Sequence, residues 1–310
     1  MKVAVIGVGH LGRHHARILA SLPGVTLAAV ADRDEARAAA VAREFGSTPV
    51  VDWRALVGTV EAVTVAVPTE SHADVALAFI EGGTHVLVEK PMTRTLDEAD
   101  RLLAAAAARG VVLAAGHTER FNPAVDTARP HLADPRFIEV HRLGTFPDRS
   151  LDIDVVFDLM IHDLDLVLDL VGRPVAAIEA VGVPVLTPRV DIANVRLRFE
   201  GGCIANLTAS RISRDRVRKI RFFQRDAYLS IDYAAQEVEL WRLVRQAGAA
   251  TPAIEGGKLD VVREEPLKRE FEDFVAAVRD GRAPRVPGQQ GRAALALAQG
   301  IVERMEAGRQ

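Results

Sequence analysis

Through about residue 117 the chain alternates short runs of uninterrupted apolar residues with longer stretches of helical period. The runs "KVAVIGVG", "VTLAAVAD", "AVTVAVP", "THVLVEKP" and "GVVLAAGH" predict strands. The stretches between them predict helices. "HLGRHHARILASL" offers Leu11, Ile18 and Leu19 to one face, and "RDEARAAAVAREFG" stops at Gly46. "SHADVALAFIEGG" and "TLDEADRLLAAAAARG" complete the set. Strands that are apolar throughout and separated by helices form a parallel sheet covered on both faces. The expected fold is α/β, an N-terminal doubly wound Rossmann domain over residues 1–117.

After Gly116 the texture changes. A short helix near "NPAVDTARPHL" precedes a strand, "RFIEVHRLGTF", and then a helix around residues 155–170. Strand-like segments follow in succession: "AAIEAVGVPVL", "IANVRLRFEG", "GCIANLTASRI", "RKIRFFQRD", "AYLSIDY" and "EVELWRLV". "FEGGCI" and "QRDAYL" look like hairpin turns. Successive strands without helices predict a large, mostly antiparallel open sheet, with helix 155–170 on one face. Residues 248–258 read as a flexible loop, and two helices near 267–280 and 288–307 close the chain. Residues 118–310 are thus expected as an α+β domain for substrate binding. Its uncovered sheet face would make a homodimer or homotetramer.

Composition narrows the function classes. The chain has 310 residues, enough for two domains. A net charge of -3 gives no reason to expect a nucleic-acid partner. The single cysteine, Cys203, excludes an internal disulfide and reads as a packed strand residue. The stretch "LLAAAAARGVVLAAG" is interrupted by Arg109 and is too short to span a bilayer. No signal peptide is evident at the N-terminus, so a cytoplasmic protein with no membrane partner is expected.

"VIGVGHLGRHHA" places Gly7, Gly9 and Gly12 in a G-x-G-x-x-G pattern between a strand and a helix, with His10 and Leu11 inside it. Gly7 permits the tight turn, Gly9 lets the backbone approach a pyrophosphate, and Gly12 permits close packing. The helix N-terminus supplies free N–H groups for the phosphate charge. Asp32 ends the second strand, where a carboxylate binds the adenosine ribose hydroxyls. It would repel a 2′-phosphate, so NAD is expected over NADP, although Arg33 beside it could accept that phosphate. His10 and His14 lack a third ligand, and no metal is expected.

Four further stretches carry candidate chemistry. In "AVPTESH" Pro68, Thr69 and His72 would line the nicotinamide side, His72 being equally readable as a helix-start residue. In "HVLVEKPM" Glu89 and Lys90 close a buried strand at its carboxyl end, where ligands bind in such sheets. In "GHTERFNPAV" His117, Arg120 and Asn122 stand where the texture changes, a usual place for a substrate cleft. In "ASRISRDRVRKIR" Arg211 and Arg218 belong to a basic cluster that either clamps an anionic substrate or guards a strand edge by charge.

"VVFDLMIHDLDLVLDL" is as apolar as a core helix, yet holds one histidine and four aspartates. At helical spacing Asp158, His162, Asp165 and Asp169 share a face and Asp163 points elsewhere.

Together "GVGHLGRHHA", "VEKP" and the D-x-x-x-H-x-x-D run of Asp158, His162 and Asp165 resemble the glucose–fructose oxidoreductase/inositol dehydrogenase/MocA (Gfo/Idh/MocA) family of NAD(P)-dependent sugar oxidoreductases. The resemblance covers essentially the whole chain. It implies that Lys90 and His162 flank the reacting sugar carbon, with Asp158 orienting the imidazole and Asp165 supporting the helix. "GHTERFNPAV", "DLMIHDLDLVL" and "ASRISRDRVRKIR" are similar to the branch that oxidises the 3-hydroxyl of UDP-N-acetylglucosamine for lipid A. A dehydrogenase of a free cyclic polyol or sugar would use the same chemistry without a diphosphate clamp. A non-catalytic NAD-binding sensor would not need Lys90 and His162.

Overall fold

The computed structural model describes residues 1–146, 153–245 and 251–308. The chain begins with β1 (Lys2–Ile6), α1 (His10–Ser21), β2 (Thr26–Ala31), α2 (Glu35–Phe45) and β3 (Thr48–Val50). It continues with β4 (Ala62–Val65), α3 (His72–Glu81), β5 (His85–Glu89), α4 (Leu96–Arg109) and β6 (Leu113–Gly116). These strands form one parallel sheet in the order β3-β2-β1-β4-β5-β6, the Rossmann arrangement. Val3, Ala4, Val5, Val63, Val65, Val86, Leu87 and Val88 are all buried, as a sheet covered on both faces requires. Local chemistry sets the helix ends. Asp34 caps α2 by accepting from the Arg37 N–H at 3.0 Å, and Gly46 ends it at φ 69°. Thr95 and Glu98 form a capping box on α4.

The second set of elements is α5 (Pro123–Ala128), β7 (Phe137–Leu143), a π-helical turn (Val156–Met160), α6 (Ile161–Val171), β8 (Val175–Val183), β9 (Ile192–Phe199) and β10 (Ile204–Ser210). β11 (Val217–Phe223), β12 (Ala227–Asp232), β13 (Glu237–Val244), β14 (Ala253–Leu259), α7 (Pro266–Asp280) and α8 (Gly288–Ala307) follow. β7 to β14 build an eight-stranded sheet in the order β14-β13-β12-β11-β7-β10-β9-β8. Every neighbouring pair is antiparallel except β7 and β10. One face is apolar: Ile138, Val140, Val195, Leu197, Leu207, Ile220, Phe222, Leu229 and Ile231 are buried. The alternate positions, such as Asn194, Arg196 and Arg198 on β9, face outward.

The chain falls into two compact units, Met1–Thr118 with Leu267–Leu295, and Glu119–Pro266 with Ala296–Gln310. The sequence reading puts all of residues 118–310 in the second domain. Residues 267–295 instead join the first unit, because Phe271, Phe274 and Val275 enter the apolar core of β1, β2 and α1. Each buried phenylalanine there contributes about 1.5–3 kcal/mol. Two local expectations are also corrected. The loop expected at 248–258 is strand β14 from Ala253 onward, paired along β13; residues 248–250 lie outside the described residues. The helix expected over 155–170 opens with a wider π turn, a feature frequent at functional sites. Among the described residues no helix is long and apolar enough to cross a membrane.

Candidate active site

The first unit carries a cavity of about 380 Å³ at the carboxyl ends of β1, β2 and β4. Gly7, Gly9, Asp32, Arg33 and Pro68 line it, as do Arg37, Trp53, Glu70 and Ser71. The glycine loop has the shape that the motif demands. Gly7 has φ 86°, and a Cβ there would lie 2.7 Å from the Ala66 carbonyl oxygen. A Cβ at Gly12 would collide with the Gly7 carbonyl oxygen, whereas a Cβ at Gly9 would meet nothing within 4 Å. That open space and the N-terminus of α1, which has no side-chain cap, fit a pyrophosphate. His10 and Leu11 are exposed in the first turn of α1.

Asp32 stands at the end of β2. Its Oδ2 accepts from the Val8 N–H at 3.0 Å and its Oδ1 from the Asp34 N–H at 3.0 Å. Arg37, in the first turn of α2, reaches Oδ2 at 3.3 Å and pairs with Asp34 at 3.0 Å. The carboxylate is thus held at the rim of the cavity, where ribose hydroxyls would meet it. Arg37 and Trp53 escaped the sequence reading. Only the placement of α2 and of the turn after β3 brings them to the cavity.

The turns after β4 and β5 carry the next candidates. Pro68 is exposed on the cavity wall and Thr69 is half-buried. His72 is buried, and its Nδ1 and Nε2 each lie 2.9 Å from a backbone carbonyl, of Pro91 and Val67 respectively. Its nitrogens are therefore engaged by the chain. Burial pulls its pKa below the ordinary histidine value, against the raising effect of the two carbonyls. Glu89 is also buried; its Oε1 lies 3.1 Å from His15 Nε2, and its Oε2 accepts from the Lys90 N–H at 3.2 Å. Burial pushes this carboxyl up, but His15 and Lys90 outweigh it and hold it below the usual carboxylate range. Lys90 is half-buried and is followed by a cis peptide bond to Pro91. His117, at the end of β6, is buried.

In the second unit Asp158 lies in the π turn and His162 at the start of α6, both half-buried. Asp163, which helical spacing points away from the stripe, is buried against β7. Arg142 donates to it from Nε at 2.7 Å and from Nη2 at 2.9 Å, and also reaches Glu119 at 3.1 Å. Burial pushes Asp163 up, opposed by Arg142. Asp165 is buried as well, 3.4 Å from Arg120. Arg120 in turn pairs with Asp169 at 2.8 Å and is itself buried. Asn122 caps α5 through the Ala124 N–H at 3.1 Å and donates to the Tyr233 carbonyl at 3.0 Å. Arg120 and Asn122 therefore build the support of α6 and α5.

The two arginines chosen from the basic cluster have different fates. Arg211 is 1% exposed. It donates to Asp191 at 2.8 Å, to the Ile153 carbonyl at 2.8 Å and to Thr187 at 3.1 Å. Arg218 is exposed on β11, directly across the ladder from Arg142. Like charges so placed repel. Glu119 and Asp163 pair with Arg142, whereas among the described residues Arg218 makes no ion pair. Partial desolvation and Arg142 lower its pKa.

The family model for oxidoreductases of NAD-binding Rossmann fold, GFO_IDH_MocA, matches residues 1–117, and the GFO/IDH/MocA C-terminal domain matches residues 126–229. The UDP-N-acetylglucosamine 3-dehydrogenase of Acidithiobacillus ferrooxidans is 39% identical over 299 residues, 96% of this chain and 95% of that one. A solved structure of that enzyme matches with a TM-score of 0.93 at 38% identity, covering 99% of this chain and 98% of the other. The scyllo-inositol 2-dehydrogenase (NAD(+)) of Bacillus subtilis is 28% identical over 232 residues, 69% of this chain and 68% of that one. Two matching domain models, a full-length relative and a glycine cradle shaped for a dinucleotide agree: the chain belongs to the Gfo/Idh/MocA family of NAD-binding oxidoreductases.

Proposed function

We propose that the chain oxidises the 3-hydroxyl of UDP-N-acetylglucosamine with NAD, in the cytoplasm, as the entry to a 3-amino sugar for lipid A. The observation that carries this reading is likeness along 96% of the chain to a relative of that activity. The exposed Arg218, facing a buried arginine that already has its carboxylates, adds a cation suited to the diphosphate of a sugar nucleotide. A dimer or tetramer through the open sheet suits the exposed Val181 and Val183 of β8. A solution mass of one chain at micromolar concentration would discard that part.

NAD supplies the hydride acceptor when bound. The side chains do the rest. His162 takes the proton from the sugar hydroxyl as the general base. Asp158 orients that imidazole and offsets its charge once protonated. Lys90 donates a hydrogen bond to the same oxygen and favours the negative charge developing there. Gly7, Gly9, Gly12 and Asp32 hold the coenzyme, and the wall formed by Pro68 and Thr69 borders its nicotinamide. In this reading His162→Ala lowers kcat with UDP-N-acetylglucosamine by about a hundredfold or more while NADH still binds. Turnover within a few-fold of the parent would remove His162 from the mechanism.

A further inference from the structure

We infer that His15, Thr64, Glu89 and His72 form a buried frame that positions Lys90 and fixes its charge. They act through its chain neighbours and touch neither coenzyme nor sugar. The inference rests on the proposed function for the use to which Lys90 is put.

The frame acts on both sides of the lysine. On the N-terminal side the Glu89 carboxylate is shut away from water at the end of β5, so it needs charged or hydrogen-bonding partners. His15 Nε2 lies 3.1 Å from Glu89 Oε1, and His15 Nδ1 lies 2.9 Å from Thr64 Oγ1. The other carboxylate oxygen accepts the backbone N–H of Lys90 itself at 3.2 Å. Gly116 on the neighbouring β6 leaves the space for this carboxylate, since a Cβ there would lie 3.0 Å from it. Phe271 closes the arrangement edge-on to the His15 ring at 4.9 Å. On the C-terminal side His72 stands between two carbonyls, its Nδ1 2.9 Å from that of Pro91 and its Nε2 2.9 Å from that of Val67, and its single N–H donates to one of them. Val67 lines the coenzyme cavity, so His72 ties the cavity wall to the lysine turn. A buried histidine thus lies against each of residues 89 and 91, on either side of Lys90.

Packing alone would be served by apolar groups. A buried, ionised carboxylate on the residue before Lys90, bonded to its backbone N–H, does something more: its charge favours the ammonium form of the lysine, the state that can donate to a developing alkoxide. His15 keeps Glu89 charged in turn. Replacing His15 would let the buried carboxyl take up a proton, with the same effect on Lys90 as neutralising Glu89.

The test reads the lysine directly. The chain has five lysines, Lys2, Lys90, Lys219, Lys258 and Lys268, so acetylation by acetic anhydride can be followed site by site by mass spectrometry. Full-length Glu89→Gln and His15→Gln are compared with the parent at one pH, with Lys219 of the second unit as internal reference. NADH fluorescence checks that each variant is folded. The expected result is a Lys90-to-Lys219 acetylation ratio raised by about threefold or more, with NADH affinity within about twofold. With UDP-N-acetylglucosamine, kcat falls by about tenfold or more and KM stays within about twofold. An unchanged ratio in a variant that binds NADH overturns the inference. If Glu89→Gln fails to bind NADH, His15→Gln decides by the same criterion. If the parent does not turn over the sugar nucleotide, the proposed function falls, and the acetylation ratio still judges the frame.

Discussion

Replacing Arg211 and Arg218 in turn separates a strut from a ligand contact on one basic cluster. Arg211→Met removes a 2.8 Å pair with Asp191, a carboxylate that is itself fully buried. It also strands the Ile153 carbonyl and one contact of Thr187. Breaking a buried pair from one side costs about 3–5 kcal/mol. Asp191 keeps the N–H groups of Val185, Leu186 and Thr187 at 2.7–2.9 Å, so the lower end applies, about 3 kcal/mol. For a chain of this size that lowers Tm by about 5 °C. Arg218→Met removes an exposed side chain with no ion pair among the described residues, so its cost is within about 0.5 kcal/mol. A charged hydrogen bond to a diphosphate is worth about 1.5–3 kcal/mol, so KM for the sugar nucleotide rises about 10–100-fold. Differential scanning fluorimetry reads the first effect, and initial rates at saturating NAD read the second. An Arg211→Met protein of parental Tm that had lost sugar-nucleotide affinity would refute the reasoning. So would an Arg218→Met protein of unchanged KM.

Two more outcomes follow from the structure. Gly12→Ala puts a methyl group into the Gly7 carbonyl, so NADH affinity by fluorescence titration falls about tenfold or more; parental affinity would show that the turn can yield. At Asp191 burial would raise the carboxyl, but the N–H groups of Thr187 and Val185, the Thr187 hydroxyl and Arg211 outweigh it and hold it well below the carboxylate range. A carboxyl depressed in the folded state adds stability above its unfolded value, about 3.9, and loses that stability as pH falls through the folded value. The Tm gap between the parent and Asp191→Asn should therefore be full at pH 7, persist to about pH 5 and close below about pH 4. A gap that stays constant down to about pH 2.5 would contradict this.

The Rossmann half was largely legible because its constraints are local. Apolar strands, the capped helix α2 and three glycines each state their own geometry within a few residues. β3 escaped because its three residues include Pro49 and sit at the sheet edge. β14 escaped because Gly256 and Gly257 imitate a loop; the glycine is needed there because a Cβ at Gly256 would collide with the Leu240 carbonyl. The helical wheel put Asp158, His162, Asp165 and Asp169 on one face by treating the helix as uniform, whereas Asp158 lies in a π turn. The burial of Asp163 on Arg142 arises from packing on β7, and the π turn lies against β10. Arg211 read as a candidate clamp because nothing near it in sequence announces Asp191 as its partner. His15 was passed over beside His10 and His14, since its meaning depends on Glu89, which only the fold brings within 3.1 Å.

NADH formation is to be followed with purified protein and NAD, with UDP-N-acetylglucosamine, myo-inositol and glucose in parallel and an aminotransferase present to draw off the keto sugar. Turnover with the sugar nucleotide alone is the expected result. Turnover with a free polyol, or NADH binding without turnover of any of the three, would contradict it.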